Sequence, residues 1–252
     1  MVFLHSEDLY LPSDIGNQLC NTEPRANFTP IENAPSPLTL DNLAELNSLG
    51  GKDVYLTSKV RPNERPEYLR GVLPNQDGKT ENAVSATIIV NDHGDDTVDV
   101  FYMYFYAFDF GGHYLDQDVG NHVGDWEHNM IRFVGGEPSQ VWFSQHSAGQ
   151  AFKYDVLEKY DGGTRVSSPR SHQCTKNAHL INLFQPVAYS ANGSHAVYAT
   201  ENDHAYGIPN INLPGGFIED HTEKGPRWDP TLSAYYYSYN RDTQAFTAYN
   251  SE

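Results

Sequence analysis

Short runs rich in apolar, aromatic and β-branched residues, separated by polar stretches of Gly, Pro, Asn and Asp, predict β-strands joined by turns. Residues 54–57 and 86–90 read as strands, the latter closed by Asn91-Asp92-His93-Gly94. Residues 98–110, Val-Asp-Val-Phe-Tyr-Met-Tyr-Phe-Tyr-Ala-Phe-Asp-Phe, are apolar on both alternating faces, so this strand should be central and covered on both sides. Residues 125–133 follow after a loop. As a strand they place Asp125, Glu127 and Asn129 on one face and Trp126, His128 and Met130 on the other. Residues 140–146 form a strand that delivers His146 at its end, residues 152–160 continue the scaffold, and 186–190 form a strand before a turn at 191–196 that presents His195. The final strand is 234–239. Residues 4–18 read as an extended opening segment, 21–38 as a proline-rich loop and 201–230 as loop-rich. One stretch departs from period two. Leu40, Leu43, Leu46 and Leu49, followed by Gly50-Gly51, predict a short amphipathic helix over 39–49 that packs on a sheet. The expected fold is all-β: a jelly-roll-like β-sandwich with one short peripheral helix and long loops, forming a single domain over residues 1–252.

Composition narrows the partners more than the fold. Tyr (17) and Phe (12) outnumber Trp (3), and 20 Gly with 15 Pro suit strands and turns. A formal net charge of −17 argues against nucleic acid, which requires clustered Lys and Arg, and disfavours a polybasic membrane contact. It leaves metal ions, cationic partners, sugars and neutral small molecules. No run approaches the ~20 apolar residues of a membrane span, and Met1-Val2-Phe3-Leu4 passes at once into His5-Ser6-Glu7-Asp8, so no signal peptide is expected at this start. Cys20 and Cys174 make no disulfide framework. Sequons at Asn27-Phe28-Thr29 and Asn192-Gly193-Ser194 matter only in a secretory setting.

The chemistry concentrates between His122 and His128, where two imidazoles and two carboxylates surround Trp126. Asp125 and Glu127 on one strand face repel unless a metal ion, an arginine or a shared proton lies between them. Carboxylates with one imidazole suit Ca²⁺, Mg²⁺ or Mn²⁺. A histidine-rich set of His122, His146 and His195 with Asp125 suits Zn²⁺ or Fe²⁺, and spacing alone does not choose. On the plainest reading Asp125 and Glu127 are exposed strand residues, His122 ends a turn and Trp126 belongs to the core. His146, His195 and Trp126 are candidate ligand contacts, with Glu127 and His146 as candidate general bases. Ser194-His195 is no nucleophile pair, since adjacent side chains on a regular backbone do not meet and no Gly-x-Ser-x-Gly elbow exists. The tyrosines at 235–237 are explained by an alternating sheet face.

Blocks at Leu4-His5-Ser6-Glu7, 10–14, 53–58, 101–108, 122–133, Ser144-Gln145-His146, 190–198 and Gly225-Pro226-Arg227-Trp228-Asp229-Pro230 together resemble fungal members of the vacuolar protein sorting-associated protein 62 family. That resemblance implies a secretory or vacuolar setting and assigns no chemistry. More remotely, His122-x-x-Asp125-Trp126-Glu127 is similar to the His-Asp-Trp-Glu core of the necrosis-inducing cytolytic proteins, β-sandwiches that carry a divalent cation and recognise sphingolipid headgroups. It implies His122, Asp125 and Glu127 as cation ligands, with Asp109 completing the group; Gly124 stands where that motif has a further histidine. The expected function is to bind a divalent cation, calcium or magnesium ahead of manganese, zinc or iron, and through it a polar headgroup or glycan. A metal-dependent hydrolase or secondary-metabolism cyclase using the same cleft is the alternative, and a non-catalytic sorting adaptor is the third reading. Two expectations concern the gene. In related fungal sequences Arg165 should join Pro186 directly, and residues 166–185 can be encoded with splice signals at Val166-Ser167 and Phe184-Gln185, so this segment is expected to be a retained intron and a poorly packed excursion. By the same resemblance the chain is expected to be clipped at both ends.

Overall fold

The computed structural model describes residues 1–114, 116–160, 185–206 and 218–249. Two sheets face each other across the core. The larger runs in the order Ala148–Lys153, Glu137–Gln145, His122–Val134, Thr97–Asp109, Ala86–Asp92, Ala234–Asn240 and Ala245–Ala248. Its neighbours are antiparallel apart from Ala86–Asp92, which pairs in parallel with Ala234–Asn240. The smaller sheet runs Val197–Tyr198, Ala188–Ser190, Val2–Phe3, Arg227–Trp228. Tyr104, Tyr106, Ile131, Val141 and Phe143 of the larger sheet meet Val2, Ala188, Val197 and Trp228 of the smaller. This is the all-β sandwich that the alternation predicts, and its central strand is the aromatic run.

The alternation also fixes which side chains face inward. On His122–Val134, Asp125, Glu127, Asn129 and Ile131 are buried, whereas Trp126 is 44% exposed on the outer face against Phe105. The plainest reading, acids outward and tryptophan inward, is therefore reversed. The aromatic strand accommodates this by placing Tyr106 opposite Asp125, Tyr104 opposite Glu127 and Tyr102 opposite Asn129, so phenolic hydroxyls rather than only ring carbon line the inner face. Tyr104 donates to Asn129 Oδ1 at 2.8 Å, which answers part of the hydrogen-bonding demand that burying polar groups creates.

Helix placement differs from expectation. The leucine-rich stretch folds as a 3₁₀ turn, Leu43–Ser48, that buries Leu46. Among the described residues the α-helix is Ile15–Cys20, which starts within the segment read as extended, 4–18, and runs two residues past it. Asp14 creates it: one carboxylate oxygen accepts from the Asn17 N–H at 2.6 Å, capping the first turn, and the other accepts from the Val84 N–H at 2.8 Å, tying the helix to the sheet. The expected proline-rich loop contributes Thr22–Ala26 and Thr29–Pro30 to a three-stranded sheet with Tyr55–Ser58. Within the stretch read as loop-rich, Asn202–Tyr206 pairs antiparallel with Ile218–Thr222. Of the expected excursion at 166–185, all but Gln185 lies outside the described residues, Cys174 included. On its flanks Lys159–Tyr160 pairs antiparallel with Gln185–Pro186.

Candidate metal centre

The site lies at one end of the large sheet, where Asp109 closes the aromatic strand and stands opposite His122, the first residue of the motif strand. From the surface inward, acids and imidazoles alternate. Asp109 Oδ2 is 3.4 Å from His122 Nδ1, and His122 Nε2 is 3.3 Å from Asp125 Oδ1. The other oxygen of Asp125, Oδ2, meets His195 Nδ1 at 2.9 Å, and His195 Nε2 lies 3.6 Å from Asp8 Oδ2. His122 is half exposed and forms the mouth; Asp109 and Asp125 are buried behind it. Among the described residues, the ion pairs of Asp8, Asp109 and Asp125 are all with histidines.

The environments split the titrations of these groups. Burial raises Asp109 to about 6, assisted by the charge of Asp125. Burial acts on Asp125 in the same direction, but hydrogen bonds from His122 and His195 prevail and hold it at about 2. His122 is raised to about 9, first by its hydrogen bond to Asp125 and against its own desolvation. Glu127 is the extreme case: burial, then the charge of Asp125, lifts it to about 9. Ser144 hydrogen-bonds to this carboxyl, yet Oε2 is buried and has no partner. A buried carboxyl oxygen without a donor costs about 1–3 kcal/mol.

These donors suit a cation. One ligand atom each from Asp109, His122 and Asp125 lies within 4.8 Å of the others. His122 Nδ1 donates to the Gly120 carbonyl at 2.9 Å, so Nε2, 3.3 Å from Asp125 Oδ1, is the nitrogen a metal would take once it displaces the proton held there. Glu127, next but one along the same strand face, offers its unpartnered oxygen. Two carboxylates, one imidazole and a further carboxyl form a hard, oxygen-rich set.

His146 and His195 take different places. His195 is wholly buried beneath Asp125, whereas His146, at φ 53° just after Glu137–Gln145, donates to Asp220 Oδ2 at 2.7 Å. Asp220 is a second hub that the sequence reading placed in a loop. It also accepts from Ser194 Oγ at 2.6 Å and Tyr198 OH at 2.7 Å, so the Ser194 hydroxyl is committed away from His195. The histidine-rich set of His122, His146 and His195 around Asp125 is thus divided between two carboxylates. Trp126 points to the opposite face of the sheet. A cavity of about 290 Å³, lined in part by Asp8, Tyr10, Phe110, Ser194, Tyr206 and Asp220, opens beside the cluster.

Sequence reasoning missed Asp8, Ser144, Tyr106 and Asp220. Asp8 sits 185 residues from the Gly193 N–H that it accepts at 3.0 Å, and Asp220 sits 74 residues from His146, so no local spacing carried a signal. The alternation that turned Tyr106 to the Asp125 face was present in the sequence and could have identified that residue.

Residues 113–213 match the family model of vacuolar protein sorting-associated protein 62. TDA6 of Saccharomyces cerevisiae, whose name groups it with the vacuolar protein sorting-associated proteins, is 33% identical over 255 residues, covering 96% of this chain and 53% of the relative. Vacuolar protein sorting-associated protein 62 of the same yeast is 30% identical, covering 94% of this chain and 51% of the relative. These matches bear out the resemblance to the vacuolar protein sorting-associated protein 62 family, to whose proteins the chain is homologous over nearly all of its length. The chain spans about half the length of these curated relatives. No solved structure matches it.

Proposed function

We propose that this β-sandwich binds a divalent cation through Asp109, His122, Asp125 and Glu127, and through the cation holds a polar headgroup or glycan, in a role within vacuolar protein sorting. The carrying observation is the convergence of the Asp109, His122 and Asp125 ligand atoms within 4.8 Å beside the buried, unpartnered Glu127 Oε2. The oxygen-rich donor set favours calcium or magnesium over zinc. The cation supplies positive charge where, among the described residues, the ion pairs of Asp8, Asp109 and Asp125 are with histidines alone, and Asp125 and Glu127 provide the balancing negative charge. The relatives' names support the sorting role and a vacuolar or related compartment. No helix among the described residues is long and apolar enough to cross a membrane.

One observation favours a second reading. Glu127 Oε2 is buried beside the other donors without a partner, open to take up a proton as a general base does, so a metal-dependent enzyme using this residue is the alternative.

Thermal melts with and without chelator test the binding reading, on wild type and on an Asp125→Ala, Glu127→Ala double mutant. Chelation should lower the Tm of wild type alone. Melts indifferent to chelator and to added Ca²⁺, Mg²⁺, Mn²⁺ or Zn²⁺ would leave the motif as architecture and favour a sorting adaptor.

A further inference from the structure

We propose that His195 is a positioning residue, one that never touches ligand but sets the orientation in which Asp125 presents Oδ1 to the cation; this rests on the cation-site reading above. His195 is 0% exposed, so no ligand reaches it. Its ring is fixed on both edges and one face. Nδ1 meets Asp125 Oδ2 at 2.9 Å, Nε2 donates to the Tyr10 carbonyl at 3.0 Å, and the Tyr106 ring stacks on it at 3.8 Å with an interplanar angle of 5°. Tyr106 is held in turn, its hydroxyl 2.9 Å from Ser190 Oγ. With Oδ2 of Asp125 taken, Oδ1 is the oxygen turned toward His122.

The backbone that delivers the ring is costly. His195 sits at φ 55° in a turn closed by its own N–H to the Ala191 carbonyl and by the Ala191 N–H to the Ala196 carbonyl. A non-glycine residue in that region is strained and persists where its surroundings over-determine it. Two residues earlier, Gly193 has φ 77°, and a Cβ there would come within 2.6 Å of the Phe110 carbonyl oxygen. The turn is thus held in a strained form that places one imidazole against one carboxylate. Partners that orient a metal ligand typically change metal affinity by about 10- to 100-fold when lost.

Two substitutions separate positioning from packing. In His195→Asn the side-chain amide nitrogen takes the place of Nδ1 and still reaches Asp125. In His195→Gln it takes the place of Nε2, keeping the Tyr10 contact and losing Asp125. Calorimetric titration with Ca²⁺ and with Mn²⁺ alone, after chelator treatment, should give His195→Asn an affinity within about threefold of wild type, while His195→Gln falls about 10- to 100-fold. Equal losses in both, or wild-type affinity in both, would overturn the proposal, since a residue that only packs predicts no difference between the two amides. A wild type that binds no cation would overturn the cation-site reading and this proposal with it, a result distinct from the other two. If neither variant folds, long-range ¹H–¹⁵N imidazole spectra of wild type decide the matter. Adding Ca²⁺ should shift His195 Nδ1 and leave Nε2 in place, and an unmoved Nδ1 under saturating cation refutes the assignment.

Discussion

Replacing Glu127 with Gln should stabilise the cation-free protein, and increasingly so as pH rises. Burial and the Asp125 charge lift this carboxyl from 4.5 to about 9. An acid whose folded-state pKa is raised keeps its proton in the native chain after the unfolded chain has released it. Its effect on stability is therefore neutral below about 4.5 and becomes unfavourable as pH climbs toward 9. The slope is about 1.4 kcal/mol per pH unit for one proton, so between pH 5 and pH 8 wild type should lose about 4 kcal/mol that Glu127→Gln does not. Asp109 and His122, also raised, contribute drifts of the same sign, but these are common to both proteins and largely drop out of the difference. Glutamine keeps the side-chain shape, and its amide can offer the orphaned position a donor facing the neighbouring acids. Urea unfolding of both proteins at pH 5, 6, 7 and 8 in excess chelator, followed by circular dichroism, measures the difference. Parallel stability curves would refute the claim that Glu127 is buried as a neutral acid. In saturating Ca²⁺ the order should reverse, because the cation needs the carboxylate that glutamine lacks.

Other outcomes follow from the same geometry. Trp126→Ala should leave cation affinity within about twofold and cost about 1 kcal/mol, since the ring lies on the face opposite Asp125 and is partly exposed; calorimetry and melts check both. Asp99→Ala should destabilise by about 2 kcal/mol without altering cation binding, because it removes the two 2.7 Å hydrogen bonds from Arg132 and the His93 contact in a cluster remote from the motif. Urea unfolding would show it, and a change in cation affinity would contradict the independence of the two clusters.

The sheet was legible in the sequence because period two survives burial. The face shared by Asp125, Glu127 and Asn129 follows from alternation alone, and so does its opposition to Trp126. Whether that face looked inward was not legible. It depends on the tyrosines at 102, 104 and 106, which stand opposite these residues only once strand register is set. The misplaced helix has a local reason. Leucines at exact intervals of three, as in 40, 43, 46 and 49, eclipse one another in a 3₁₀ turn of three residues, whereas an α-helical stripe alternates threes and fours. The true helix is six residues long and contains Gly16 and Asn17, so its one readable signal was the Asp14 cap. The site was half legible for a similar reason. Its ligands lie in one strand and at the end of the neighbouring one, while Asp8, His195 and Asp220 join through turns and a second strand pair brought in by tertiary folding.

Elemental analysis of the purified protein after extensive dialysis, on wild type and on Asp109→Ala, Asp125→Ala, tests the cation site most directly. One equivalent of calcium or magnesium in wild type, absent from the double mutant and restored to wild type alone after chelation and reloading, is the predicted result. Metal content below a tenth of an equivalent in wild type even after reloading, or equal content in the two proteins, would contradict it.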